Sequence, residues 1–517
     1  MKKFITYITA VIVTAALASC SKFLDVNENP NAPSDVPVEQ ILPNVLVSSV
    51  NIEIIGISNS PGVSGSLNQL GSVWGGYWAK ATDGPSAASL FLLEETYAVE
   101  AMASDRDGRN FWEDIYKILT NYRNIETKAS QEGHLAYAGV AKIMQGWHFM
   151  RLVDLYNNVP FEEALQGTDN ATPAFEDGQT VYEKSVNLIT NGIADIKNAT
   201  PLSKHPAADD ILFKGDMARW IKFANTVKLR ALLRQSQTGN ANYIDAELAK
   251  IAAEGSGFLS VGESAQVNPG YTDGTAGLQN PLWETYYRTA VGALTPAYNT
   301  IRPTAFLVSE YKRLNDPRLE KLYARAQATG EYTGVPLGTE DGAFSMANTS
   351  PFLGPQENGG QPGALFKRST QSSVLLGSFE SLFLQAEAAE RGWISGNTKD
   401  FYNLGVQESL KYMEAVAGYA DYIIQNEVDL DQAADKIERI IEQKWLSLNT
   451  INGFEAWNDY RRLGIPAIPQ SLRSPSADPA YRPLRLTYRK SELTGNGEEV
   501  AKQGNIDPFT ASVFWDK

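Results

Sequence analysis

Apolar residues recur every three or four positions in many stretches of the chain, the spacing of one face of an α-helix. One such stripe consists of Phe111, Ile115, Ile118, Leu119, Tyr122 and Ile125. Similar stripes predict helices in consecutive pairs at about 111–156, 179–235, 376–416 and 431–462. Pairs of helices that bury one stripe against a neighbour are typical of TPR-like stacking, although the strict repeat of about 34 residues is missing. The pattern therefore predicts a mainly α-helical fold.

Three stretches between the helical blocks are rich in turn-forming residues. They lie at about 58–90, 255–300 and 326–372, and the last has eight Gly and four Pro in 47 positions. A long segment of this composition inside a domain is either disordered or a functional surface loop. Aromatic residues in such loops have fewer neighbours to bury them than those on helix stripes. We therefore expect loop aromatics, more than helix aromatics, to face a ligand.

The N-terminus has the pattern of a bacterial lipoprotein signal. Lys2 and Lys3 precede an apolar stretch from Phe4 to Ala18, which is too short to cross about 30 Å of hydrocarbon as a helix. The string LASC that ends at Cys20 matches the lipobox, in which the cysteine is lipidated. Cys20 is the only cysteine in the chain, so it cannot form an internal disulfide, and lipidation explains its presence. A secretory peptide that merely contains a cysteine is the alternative.

This reading divides the chain into three parts: a signal peptide at 1–19, the lipidated Cys20 with a polar linker at 20–35, and a single helical domain at 36–517. No later segment approaches 18 uninterrupted apolar residues. We therefore expect a soluble body held to a membrane by lipid.

The charge balance argues against nucleic acid as a partner. The chain has 45 Lys and Arg against 60 Asp and Glu, a formal net charge of -15. A polyanion would bind only to a local basic stripe. The basic residues that do cluster, at 219–234 and 461–462, alternate with apolar positions, which predicts a solvated or ion-paired helix face.

Signatures of catalysis and of metal binding are missing from the sequence. It has three histidines and no HExxH, GxSxG, P-loop or dinucleotide-binding motif, so we predict a protein that is not an enzyme and has no cofactor. A calcium ion held by oxygen ligands is the metal type that the composition leaves open. The acidic and amide residues at 25–31 lack the EF-hand spacing, so the sequence does not support such a site.

Several strings resemble the SusD/RagB family of nutrient-binding outer-membrane lipoproteins of Bacteroidetes, and the first is most similar to its SusD-like subgroup. The resemblance extends from Cys20 to about Gly504. The strings are FLDVNENPNAP (23–33), LVDLYNNVPFEEA (152–164), RWIKFANTVKLRALLR (219–234), LNDPRL (314–319), FLQAEAAERGW (383–393) and EQKWLSLNTINGFEAWNDYRRLG (442–464).

This resemblance implies four TPR-like helix pairs on one side of the protein and irregular, ligand-facing loops on the other. It also implies a lid over a SusC-like TonB-dependent transporter, with the helical side towards the transporter, that captures oligosaccharides or sometimes peptides for import. The expected location is the outer membrane, facing the cell surface. The acidic run that often follows the lipidated cysteine in surface-displayed members is missing after Cys20, which leaves the side of display open.

The predicted ligand contacts combine flat rings with polar side chains. A ring can cover the C–H face of a sugar while amides and charged groups bond its hydroxyls. Packing of each ring against its own loop is the alternative, and the tryptophans on helix stripes, Trp147, Trp220, Trp445 and Trp457, are expected in the core. The predicted contacts are Trp74, Tyr77, Trp78, Trp283, Tyr286, Tyr287, Asn68 and Arg288, with Gln69 and Asn280 as further polar candidates.

Three functions therefore remain after the sequence is read. The first is a binding protein for oligosaccharide uptake. The second keeps the fold but gives it peptide cargo or a mainly structural lid role. The third, a surface glycan-degrading enzyme, requires a pair of carboxylates about 5–9 Å apart, which a sequence cannot place.

Overall fold

The computed structural model describes residues 36–56, 65–104 and 109–516. The predicted signal peptide, the lipidation site at Cys20 and the linker at 20–35 lie outside these residues. In chain order the α-helices are α1 (Val38–Ile54), α2 (Leu67–Trp74), α3 (Leu92–Glu95), α4 (Val99–Met102), α5 (Phe111–Gln131), α6 (Leu135–Tyr156), α7 (Gly178–Asn198), α8 (Met217–Arg234), α9 (Ala241–Glu254), α10 (Pro281–Tyr286), α11 (Pro296–Thr300), α12 (Ala305–Arg313), α13 (Leu319–Leu322), α14 (Ser378–Glu390), α15 (Thr398–Tyr412), α16 (Tyr419–Ile423), α17 (Lys436–Leu448), α18 (Gly453–Leu463), α19 (Lys490–Gly495) and α20 (Gly497–Lys502).

Four helix pairs form the scaffold and lie in the four spans that the apolar stripes indicate: α5 with α6, α7 with α8, α14 with α15, and α17 with α18. Helices pack within each pair and between pairs, as α6 does against α7 and α14 against α8 and α17. The prediction of a mainly α-helical fold with four TPR-like pairs is confirmed. The four helix-stripe tryptophans are buried, as expected.

Short polar side chains set where several scaffold helices begin. The residue before the helix accepts a hydrogen bond from a backbone N–H of the first turn, which would otherwise have no partner. These capping residues are Asp177 for α7, Asp216 for α8, Asn397 for α15, Asp435 for α17 and Asn452 for α18.

Four short strands join segments that are far apart in the sequence. β1 (Trp78–Lys80) pairs antiparallel with β3 (Ile301–Pro303), and β2 (Ala265–Val267) pairs antiparallel with β4 (Ser373–Leu376). The turn-rich stretch predicted at about 58–90 is not irregular throughout, because it contains α2 and β1. The strands thus attach the Gly-rich insertions to one another and to the edge of the scaffold.

α2 crosses α18 at very short distance, and glycine makes this crossing possible. A Cβ atom built on Gly71 would lie 2.3 Å from the backbone C of Gly453 and 2.3 Å from the N of Phe454. The neighbouring Asn68 accepts a hydrogen bond from the N–H of Gly453 at 2.7 Å and donates one to the carbonyl of Thr450 at 2.9 Å. The segment is therefore part of the core and not a surface loop.

Buried ion pairs join the helix pairs at the centre of the scaffold. The Glu455 carboxylate on α18 is bonded to Arg151 of α6 and Arg234 of α8, and Arg230 of α8 lies 3.4 Å from it. Arg230 also contacts Glu380 of α14 at 3.1 Å. All five side chains are buried. The predicted helix face at 219–234 is therefore ion-paired at Arg230 and Arg234, but these pairs lie in the interior.

The same buried network continues along α18. Asp459 forms ion pairs with Lys444 of α17 at 2.8 Å and with Arg462 at 3.0 Å. Arg462 also donates to Glu387 of α14 at 2.8 Å. Because removal of one partner leaves an uncompensated charge in the interior, each of these helices constrains the position of the others.

The positive charges of the network favour the ionised forms of Glu455 and Asp459. Burial alone would raise the pKa of Glu455, but the guanidiniums of Arg230, Arg234 and Arg151 hold it well below its ordinary value. Burial opposes ionisation of Asp459 as well, and Lys444 and Arg462 lower its pKa. Lowered carboxylate pKa values stabilise the folded state above the ordinary pKa, and this contribution is lost as the pH falls through the folded-state pKa.

We expect Gly71→Ala to destabilise the protein by about 3 kcal/mol, since the new methyl group has no room against the backbone of α18. Gly497→Ala is the control: this helical glycine has no neighbour within 4 Å of an added Cβ, and alanine favours a helix by up to about 1 kcal/mol. Guanidinium unfolding of both variants measures the difference. Equal free energies of unfolding for Gly71→Ala and Gly497→Ala would show that α2 and α18 do not approach as closely as described.

We expect Glu455→Gln to reduce the free energy of unfolding at neutral pH by about 3–5 kcal/mol, because buried guanidiniums lose their carboxylate. The difference from the parent should shrink as the pH falls below about 4.5, the ordinary glutamate value. Urea unfolding across pH measures both effects. Glu499→Gln, which removes a surface pair with Lys502, should cost less than about 1 kcal/mol. If the difference in unfolding free energy between parent and Glu455→Gln did not change with pH, the assignment of Glu455 as an ionised partner of the guanidiniums would be contradicted.

Candidate functional site

Rings from the three Gly-rich insertions meet in one buried cluster, which we call the aromatic cluster. The centroid of Trp78 lies 5.0 Å from that of Tyr286 and 6.3 Å from that of Phe352. Phe366 continues the cluster, at 5.7 Å from Phe352 and 5.0 Å from Tyr287. Edge-on and stacked contacts at these distances stabilise beyond the area they bury. The cluster therefore holds the loops to one another.

The prediction that Trp74, Tyr77 and Trp78 face a ligand is wrong. Trp74 is 4% exposed, and Tyr77 and Trp78 are completely buried. Their polar atoms are engaged inside the protein: Trp74 donates to the Glu94 carbonyl at 3.1 Å, and Trp78 donates to the Thr450 hydroxyl at 2.8 Å. The physical reason is that α2 and β1 insert this segment between the scaffold and the other loops.

The rings of Tyr286 and Tyr287 are also buried, against the expectation of exposure. Tyr286 donates to the Ile54 carbonyl at 3.3 Å, and Tyr287 donates to Glu357 at 2.7 Å. Burial raises the pKa of Tyr287, so its phenol keeps the proton that it donates.

The amides predicted to bond a ligand are likewise in the interior. Asn68 bonds the start of α18, as described above, and Gln69 donates to the Glu94 carboxylate at 3.3 Å. Asn280 caps α10 through the N–H of Trp283 and donates to the Gln371 carbonyl at 2.9 Å. Because these amides bond the fold itself, the geometry gives them no role in ligand contact.

Trp283 and Arg288 are the predicted contacts that remain partly accessible. The Trp283 ring stands edge-on to Tyr287 at 4.7 Å, and the Arg288 guanidinium lies 5.0 Å from the centre of the Tyr287 ring. Arg288 also pairs with Glu357 at 3.0 Å. We call Trp283, Tyr287, Arg288 and Glu357 the Trp283 edge. It places an indole beside a fixed pair of opposite charges at the margin of the aromatic cluster.

Sequence reasoning missed Glu357, the partner of both Tyr287 and Arg288. It lies 69 residues beyond Arg288 in the chain, inside the insertion at 326–372. Gly354, in the same insertion, would meet the Tyr287 ring at 2.2 Å if it carried a Cβ. The Gly/Pro composition indicated a loop here, but no local signal indicates which ring or cation that loop contacts.

One of the three histidines, His148, lies in the interior beside a hydroxyl group. His148 bonds the Ser49 hydroxyl at 2.8 Å, but both residues have 0% exposure. Burial lowers the pKa of His148 to about 3, so the ring is neutral. Across the described ranges, no group of three or more His, Cys, Asp or Glu side chains is arranged to hold a metal ion. No helix in those ranges has the length and apolar character needed to span a membrane.

Solved structures show the same fold. A SusD homologue from Bacteroides fragilis is 20% identical, with a TM-score of 0.72 over 93% of this chain and 100% of that one. A chitin-binding SusD homologue from Flavobacterium johnsoniae is 22% identical, with a TM-score of 0.72 over 92% and 98%. A SusD-like protein from Bacteroides thetaiotaomicron is 22% identical, with a TM-score of 0.69 over 92% and 98%.

No curated protein matches the sequence. Residues 80–489 match the SusD-like family that is described as starch-binding and associating with the outer membrane. This match covers more than half of the chain, and it agrees with the resemblance read from the sequence strings. The chain therefore belongs to the SusD-like family of nutrient-binding outer-membrane proteins.

Proposed function

We propose that this protein is a non-catalytic lipoprotein of the outer membrane that captures oligosaccharides for import. In this proposal Cys20 carries the lipid, and a SusC-like TonB-dependent transporter receives the cargo beneath the lid. The family description, starch-binding and associating with the outer membrane, supports the class of cargo and the location. The observation that carries the proposal is the Trp283 edge.

The chemistry of the Trp283 edge suits a sugar. A half-buried indole offers an apolar surface for the C–H face of a pyranose. Arg288 offers donors and Glu357 offers acceptors for hydroxyl groups on the sugar's rim. Both are already oriented, since Glu357 bonds Arg288 at 3.0 Å and Tyr287 at 2.7 Å. A preorganised surface loses less conformational entropy when it binds.

Peptide cargo is the second candidate. It is favoured by Val291, which is 90% exposed at the turn between Arg288 and Leu294. Val291 is close in sequence to Arg288, which pairs with Glu357. An exposed apolar side chain near such a pair of charges suits a short peptide with charged ends. The two cargoes therefore compete for the same surface, and binding measurements separate them.

We expect the soluble body, residues 21–517, to bind an oligosaccharide on a glycan array and in calorimetry. Trp283→Ala should weaken this binding at least tenfold with little change in stability. Trp393→Ala is the matched control, because Trp393 is also half-buried and has an arginine 5.6 Å from its ring, but lies in the turn between α14 and α15. Trp78→Ala should instead lose about 3–5 kcal/mol of stability, as expected for a large ring in the core.

Three results would overturn parts of this proposal. Binding of peptides with no saccharide binding across the array would replace the cargo by peptide. Saccharide binding that is unchanged in Trp283→Ala would remove the Trp283 edge from the site. Hydrolysis of a bound glycan by the parent protein would favour the third hypothesis, a surface glycan-degrading enzyme.

A further inference from the structure

A polar cleft opens where α8 begins, beside the second strand pair and the end of α15. Its volume is about 490 Å³, within the range of about 300–1,000 Å³ that small-molecule sites occupy. Its walls are supplied by four separate stretches of the chain. We call it the basic cleft, and the lining residues that carry its chemistry are Lys214, Arg219, Gln266, Glu408, Lys411 and Tyr412.

Positive charge exceeds negative charge in the lining of this cleft. The three cations are Lys214, Arg219 and Lys411, and the single lining carboxylate is Glu408. Glu408 is already engaged: it accepts from the Ser378 hydroxyl at 2.8 Å and lies 3.5 Å from Lys411. The cleft thus departs from the rest of a chain whose formal charge is -15.

Two of these cations have no carboxylate partner. Within the described residues, neither Lys214 nor Arg219 lies within 4.0 Å of an acidic oxygen. The next cation along the same helix, Lys222, is paired with Glu263 at 2.8 Å. A cation on α8 can therefore form an ion pair with the neighbouring loop, as Lys222 does. Arg219, at the end of the helix that borders the cleft, does not form one with any described residue.

Arg219 is held in place without being neutralised. Its guanidinium lies 4.9 Å from the centre of the Phe213 ring and donates to the Ser264 carbonyl at 3.3 Å. Its Nε atom is buried and has no hydrogen-bond partner. A guanidinium that is held in place and has no carboxylate to balance its charge can bond strongly to an anionic oxygen in the cleft.

Neutral groups beside the cations are free to bond hydroxyls. In the described part of the chain, neither the Gln266 amide nor the Tyr412 hydroxyl makes a hydrogen bond. Burial raises the pKa of Tyr412 to about 12, so its phenol remains protonated. An amide donates and accepts, and a phenol does both as well, which matches the bonding capacity of a sugar hydroxyl.

We propose that the basic cleft is a second binding site, for an acidic sugar unit that carries a carboxylate or a sulfate group. Arg219 and Lys214 bind the anionic group, and Gln266 and Tyr412 bond the hydroxyls. This assignment does not rest on the Trp283 edge, because none of Trp283, Tyr287, Arg288 and Glu357 lines the basic cleft.

The test is calorimetry of residues 21–517 with acidic disaccharides of galacturonate, glucuronate and a sulfated hexose, each beside its uncharged counterpart. We expect an acidic disaccharide to bind at least tenfold more tightly than its neutral counterpart, and to bind less tightly as the salt concentration rises. Arg219→Gln and Lys214→Gln should each weaken this binding at least tenfold. Lys222→Gln, on the same helix but paired with Glu263, should leave it unchanged.

Several results would overturn this proposal while leaving the saccharide uptake function intact. These are equal binding of the neutral and acidic disaccharides, no binding of any acidic disaccharide, or unchanged binding in a folded Lys214→Gln variant. If Trp283→Ala no longer bound the acidic disaccharides, their binding site would be the Trp283 edge and not the basic cleft. Inorganic sulfate that binds as tightly as the disaccharides would show an anion site without sugar recognition.

Discussion

A buried carboxylate that receives guanidiniums from two neighbouring helices is the contact on which the scaffold depends. Glu455 of α18 is bonded to Arg151 of α6 and to Arg234 of α8, while Arg230 joins it to α14 through Glu380. Apolar stripes alone would let these helices slide, because hydrophobic contact has no direction. Ion pairs of fixed geometry specify one arrangement, and the interior charge makes any other arrangement costly.

The scaffold in turn fixes the irregular half of the molecule. α18 begins at Gly453, where the crossing with α2 and the bonds of Asn68 attach the first insertion. β1 then pairs with β3, and Trp78 enters the aromatic cluster with rings from the other two insertions. Each of these contacts restricts the positions that the Gly-rich segments can adopt. The Trp283 edge is consequently a surface whose parts are held in position before any ligand arrives.

The helix pairs were predictable from the sequence, and the site was not. A stripe such as that of α5 repeats over a few residues, so local spacing reveals it. Burial of Trp78 depends on Thr450, 372 positions away, and the orientation of Arg288 depends on Glu357. The basic cleft was missed for the same reason: Lys214, Gln266 and Lys411 come from separate segments, and Arg219 looked like one member of an ordinary helix face.

Hydrogen–deuterium exchange under native conditions, comparing the parent with Glu455→Gln, tests the central claim most directly. If Glu455 couples the helices, protection will fall together in α6, α8 and α18, and by similar factors, because these segments open as one cooperative unit. Faster exchange confined to α18, with α6 and α8 as protected as in the parent, would contradict the account.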